Sequence, residues 1–268
     1  MTTVFGTTSS KGYQKMDKNG HAHPADSVSK AGEAHGMRYT TEFVGTFLLL
    51  FVGMQVGIFT ASLLLAALIC MGATISLAHF NPAITLAHLF RGNLSFVDAG
   101  MYILYQTLGA CVAALAFDAF FGLPTGASPS GSLMELASTG SALLGATFTI
   151  CLVHLAVMTG ESRTQFFGLA VGFALFSGVI SYGADSKLFN PAIAGGTYLA
   201  RGLLGNGFPL PLFEVMFYAM GLVAAALAAL MFNLSTYGGL VGVLVAECKS
   251  LGCRDPQDAK VRALLEGP

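Results

Sequence analysis

Residues 80–84 read Phe80-Asn81-Pro82-Ala83-Ile84, and the same five residues return 109 positions later as Phe189-Asn190-Pro191-Ala192-Ile193. Each copy is followed by Leu-x-Arg-Gly, at Leu89 and Arg91 in the first and at Leu199 and Arg201 in the second. Asn can cap a helix, and Pro suits the first helical position because its missing N–H would be unpaired there. Both stretches therefore read as helix starts. The apolar pieces they open, about 81–91 and 190–201, are too short to cross a bilayer, which takes roughly 20 residues. They are expected to be half-helices that enter a membrane and stop.

The rest of the chain gives these pieces their setting. Of 268 residues only 27 are Asp, Glu, Lys or Arg, well below the roughly 25% of an ordinary soluble domain, and mean hydropathy is +0.69. Eight of those charges lie in residues 1–38 and eight in 234–268, which leaves eleven for the 195 residues between. A soluble globular protein is excluded. Apolar segments at about 39–57, 58–76, 96–122, 137–159, 166–183 and 211–233 supply six spans. The fold class that follows is an all-α membrane protein with six transmembrane helices and two re-entrant half-helices. Its parts are a flexible N-terminal tail (1–38), a membrane domain (39–233) and a C-terminal tail (234–268).

Repeat one covers about 39–122 and repeat two about 137–233. Tyr105, Gly109 and Ala113 correspond to Phe217, Gly221 and Ala225, a four-residue spacing of small side chains that lets membrane helices approach closely. Each half holds three spans, an odd number, so the second half must be inserted upside down relative to the first. Such inverted repeats place their site near the bilayer midplane, between half-helix ends.

Six spans put both tails on one side. That side carries eleven basic residues and the other only Lys187 and Arg201, which points to cytosolic termini. No apolar core precedes Tyr39, so no cleavable leader is expected, and Asn93-Leu94-Ser95 and Asn233-Leu234-Ser235 should carry no sugar on the cytosolic side. Five cysteines without metal spacing read as free thiols. The net charge of −1 gives no reason to expect a nucleic-acid partner, and the partners anticipated are permeant and the lipid bilayer.

Two Asn-Pro-Ala triplets facing each other in mid-membrane define a chemistry. Each helix N-terminus carries roughly half a positive charge, and the amides of Asn81 and Asn190 add N–H donors. Water there must turn its oxygen to both Asn residues and its hydrogens away, which interrupts a proton wire, while cations meet a positive barrier. Irregular backbone at Ser76–Phe80 and Ser186–Phe189 would be tolerated where its carbonyls face a wet lumen.

With these residues in place the chain resembles an aquaporin of the major intrinsic protein family over about 39–233. Glu42-Phe43-x-Gly45-Thr46, Ala78-His79-Phe80, Gln106 and Gly109 add to the likeness. The resemblance implies a right-handed bundle, a homotetramer with one pore per subunit, and passive flux driven by osmotic or concentration gradients; the permeants expected are water and small neutral solutes such as glycerol, urea and ammonia. It also implies that Glu42 accepts from backbone N–H groups of a re-entrant loop, in preference to a proton-coupling role, and that Gln106 ties that loop to the bundle. His79 reads either as a core histidine or as a pore-lining donor at the cytosolic mouth, the second being favoured by position. His88 and His154 read as packing or hydrogen-bonded residues.

The chain also departs from the family pattern. Ile193 stands where most aquaporins carry Arg, the first-half filter position falls near Ala61, and the fifth-span position is Leu175 or Gly178. Lys187, three before Asn190, either replaces the missing positive charge or reaches the outer surface and pairs with Asp185. Ala194-Gly195-Gly196 offers no glycerol-facilitator Asp, the outer connection shrinks to about Gly53–Gly57, and Leu143 occupies the second-half place of Glu42. A wider, less polar constriction is expected. The rival readings are a secondary transporter, with Glu42 as its strongest coupling acid, and a closed structural or regulatory member. No nucleophile–base pair, paired carboxylates or metal cluster marks an enzyme, and no catalytic residue, cofactor or metal is expected.

Overall fold

The computed structural model describes residues 24–123, 133–159, 166–182, 189–205 and 212–235. Within them lie eight helices: α1 (Pro24–Gly53), α2 (Ile58–Ser76), α3 (Pro82–Arg91), α4 (Phe96–Phe121), α5 (Leu133–Thr159), α6 (Phe167–Tyr182), α7 (Pro191–Leu203) and α8 (Leu212–Ser235). The fold is an all-helical bundle. Its short members, α3 with 10 residues and α7 with 13, both begin at the proline of a triplet.

Packing follows the repeat. α1 packs on α2 and α4 as α5 packs on α6 and α8, and α2 meets α6 between the halves. α4 of the first half carries α7 of the second, and α8 of the second carries α3 of the first. Pairing α1 with α5, α2 with α6, α3 with α7 and α4 with α8 maps these main contacts onto one another, as a two-fold relation between halves requires. Small residues permit it: a side chain added at Gly109 would run into the carbonyl oxygen of Phe43 on α1.

Among the described residues, Ile58–Ser76, Phe96–Phe121 and Ser138–Thr159 are long and apolar enough to cross a membrane, and Phe167–Ser181 and Ala219–Leu234 are shorter apolar helices. Large apolar side chains such as Phe59, Met71, Leu104, Leu227 and Leu230 point outward, where lipid or an apolar protein neighbour would favour them.

Two boundaries differ from the sequence reading and one agrees with it. α1 starts at Pro24, inside the stretch assigned to a flexible tail, because hydropathy marks where lipid contact begins and not where helical hydrogen bonding does. The turn between α1 and α2 is confined to residues between Gly53 and Ile58, as short as anticipated. Arg91-Gly92 does close α3, with Gly92 at φ 81°, but α7 runs through Arg201 and Gly202, and the left-handed glycine after it is Gly205 at φ 80°.

Candidate functional site

The two helix starts are built alike. Asn81 and Asn190 have extended backbones, and each side-chain Oδ1 accepts the N–H of the alanine two residues on, from Ala83 at 2.8 Å and from Ala192 at 3.1 Å. This spends the amide oxygens on capping and turns both NH2 groups away from their own helices. Asn81 Nδ2 donates to the Phe189 carbonyl at 2.9 Å, and Asn190 Nδ2 donates to the Phe80 carbonyl at 2.7 Å. The halves are clasped reciprocally, N-terminus to N-terminus. Since each NH2 has two hydrogens, one on each Asn is left for another acceptor.

The loop ahead of α3 is held under strain. Leu77, Ala78 and Phe80 have φ of 67°, 51° and 48°, the left-handed region that costs a non-glycine residue roughly 1–2 kcal/mol. Buried Glu42 on α1 compensates with its full acceptor capacity. Its Oε1 accepts from Ser76 Oγ at 2.6 Å and from the His79 N–H at 3.0 Å, and its Oε2 from the Phe80 N–H at 2.7 Å and Gln106 Nε2 at 2.7 Å. Gln106 also donates to Thr85 Oγ1 at 3.0 Å, and the Tyr102 hydroxyl donates to the Ser76 carbonyl at 3.0 Å. The Phe80 ring covers Gly45, where any Cβ would collide with it.

Leu143, at the place equivalent to Glu42, is buried with Ala146 against Phe189. Among the described residues, the Phe189 side chain is positioned by this packing.

A cavity runs to the clasp. It offers about 70 Å³ to the centres of water molecules, where one water needs roughly 10–15 Å³ on that measure. Asn81, Asn190 and His79 line it together with Ala61, Leu175 and Ile193. Among the filter candidates, then, Ala61 on α2, Leu175 on α6 and Ile193 on α7 share one space. Gly178 is not among its walls: a Cβ there would lie 2.9 Å from Ala146 of α5, so Gly178 serves close packing of α6 on α5. Three helical positions leave Gly178 about 60° around α6 from Leu175, enough to turn it from the cavity towards the seam with α5. Lys187 and Asp185 lie outside the described residues.

Three histidines cluster beside the loop ahead of α3. His79 Nδ1 lies 3.2 Å from Thr85 Oγ1, while its buried Nε2 has no hydrogen-bond partner among the described residues. The His88 ring stacks on His79 at 4.4 Å between centroids, and the His154 ring meets both edge-on. A carbonyl only accepts, so His154 Nε2 donates to the Ala78 carbonyl at 3.3 Å, and its Nδ1 then accepts from His88 Nε2 at 2.9 Å. Among the described residues no group of three His, Cys, Asp or Glu is disposed to hold a metal. Sequence reasoning missed this pair, as it missed Ser76, Tyr102 and Thr85. The available signal was one unpaired polar residue in each of two apolar helices, groups that must find a partner in the membrane.

The sequence profile of the family described as major intrinsic protein matches residues 29–232. The chain belongs to the major intrinsic protein family, whose members are passive membrane channels for water and small solutes. It is 28% identical over 186 residues to the probable aquaporin TIP1-2 of Oryza sativa subsp. japonica, spanning 66% of this chain and 69% of that one. It is 29% identical over 188 residues to the glycerol uptake facilitator protein-like 6 of Lactiplantibacillus plantarum, spanning 61% and 87%. The solved aquaglyceroporin of Plasmodium falciparum shares the fold with a TM-score of 0.55 at 21% identity, over 74% of this chain and 93% of that one.

Proposed function

We propose that residues 39–233 form a passive channel, six spans and two half-helices, that passes water and small neutral solutes such as glycerol, urea and ammonia and excludes ions. The reading rests on one observation above all: two capped helix N-termini meet at the end of a cavity with room for several waters, each with an amide hydrogen to spare. Opposed dipoles repel cations there, and an oxygen held by two donors cannot relay protons. Ala61, Leu175 and Ile193 form the outer filter, with Lys187 supplying positive charge near it. The protein is a homotetramer with one pore per subunit, and residues 1–38 and 234–268 lie in the cytosol.

The relatives named for water and for glycerol uptake support a neutral-solute pore of this breadth. A coupled transporter is disfavoured by Glu42, whose oxygens each already accept two hydrogen bonds, leaving little reason for it to exchange a proton during transport.

The test is osmotic. Proteoliposomes containing the protein should shrink faster in hypertonic medium than empty vesicles of the same lipid and size. Equal rates at verified incorporation would refute the channel.

A further inference from the structure

We infer that the hydrogen-bonded pair His88–His154 is a crossbar over the lumen just beyond the asparagine clasp, and that displacing it limits the rate of permeation; this rests on the channel reading above. Two helix faces lead to it. Ile84 on α3 and Ile150 on α5 both line the cavity, and the residue four positions on lies on the same face of a helix, one turn along. Those residues are His88 and His154. His88 Nε2 lies 2.9 Å from His154 Nδ1, so the faces that border the cavity at the isoleucines are joined one turn further on. α3 begins at the clasp with Pro82 and runs away from it, which places His88 about 9 Å along the helix from that start.

The bar is anchored to the strained loop. His154 Nε2 donates to the Ala78 carbonyl at 3.3 Å, and at the other end Asn93 Nδ2 lies 3.5 Å from His88 Nδ1. The His79 ring stacks on His88 and meets His154 edge-on, and both members of the pair are fully buried. Ala78 belongs to the same left-handed stretch as Phe80, whose carbonyl takes part in the clasp. Irregular backbone at membrane depth is tolerated where it is buried in protein or lines water. Here an imidazole holds the carbonyl that water would otherwise reach.

Water moving along these two faces must displace the imidazole and take over its bonds. It is able to do so: a water donates to the Ala78 carbonyl and accepts from His88 Nε2, so neither group is left unpaired. The barrier is then of the order of one net hydrogen bond, about two- to tenfold in rate. Alanine at either position removes the bar and leaves room for that water. An aromatic ring at position 154 removes the hydrogen bonds but keeps the obstruction.

Water permeability would be measured by stopped-flow light scattering for the unaltered protein, His154→Ala, His88→Ala and His154→Phe, in vesicles of one lipid and normalised to incorporated protein, with the melting temperature of each in detergent. Both alanine variants should be about two- to tenfold more permeable than the unaltered protein, and His154→Phe no more permeable than it. A merely structural pair would move all three variants in the same direction. A folded, incorporated alanine variant of unchanged or lower permeability would overturn the inference and leave the channel standing, and because the two alanines sit on different helices either one decides. His154→Phe as permeable as His154→Ala would overturn it as well. Flux no higher than that of empty vesicles in every sample, the unaltered protein included, would overturn the channel reading and this inference with it.

Discussion

Glu42 Oε2 and the backbone N–H of Phe80 lie 2.7 Å apart, a bond between the first helix and the last residue before a capped half-helix. Phe80 is also the residue whose carbonyl accepts from Asn190. One peptide unit's neighbours thus tie α1 to the strained loop and the loop to the opposite half.

Replacing Glu42 should consequently be a stability lesion before it is a transport lesion. In Glu42→Gln, one of the two oxygens becomes an NH2 that faces donors, so at least one buried N–H loses its acceptor and another meets a donor. Hydrogen bonds to charged groups contribute about 1.5–3 kcal/mol each, and a loss of roughly 2–4 kcal/mol is expected. The measurement is thermal unfolding in detergent, alongside water flux in vesicles. An unchanged melting temperature with flux that has become independent of a proton gradient would favour the coupling role instead.

Asn190→Asp should convert the clasp into a leak. A carboxylate keeps the cap on Ala192 but cannot donate to the Phe80 carbonyl, and at 2.7 Å it would place acceptor against acceptor. It also cancels positive potential where the two helix N-termini meet. Proton or cation entry into proteoliposomes carrying a pH-sensitive dye should rise, with water permeation retained. A tight variant would show that ions are stopped elsewhere.

The His88–His154 pair should behave non-additively. His88→Leu leaves His154 Nδ1 without its donor, and His154→Leu leaves both His88 Nε2 and the Ala78 carbonyl without partners, each change costing about 1–3 kcal/mol. Removing both imidazoles eliminates the pair together, so the double variant should lose less than the sum of the single losses. Melting temperatures of the three variants measure the difference, and strict additivity would show that the 2.9 Å contact carries no coupling.

Lys187→Ala tests a residue placed by sequence alone. If its ammonium supplies the charge absent at Ile193, the variant should leak sodium or protons more than the unaltered protein in the same dye assay. No change would assign Lys187 to the outer surface.

The chain by itself determined the class of molecule: scarce, tail-weighted charge gave a membrane protein, and two identical Phe-Asn-Pro-Ala-Ile stretches separated by an odd number of spans gave opposed half-helices. It also marked Glu42 and Ile193, because a carboxylate in an apolar run and an aliphatic residue beside the second triplet both break a pattern. Only the tertiary structure shows which residue of α6 lines the cavity, Leu175, while Gly178 packs at the seam with α5. A helix apolar around its whole circumference carries no periodic signal to distinguish lumen from lipid or from a neighbour. The left-handed backbone at Leu77, Ala78 and Phe80 was equally invisible, since no glycine announces it and its supports come from residues tens of positions away. The same is true of His88 and His154, which lie 66 positions apart in sequence: their pairing exists only because two helices of opposite halves pack together, and no local pattern encodes that meeting.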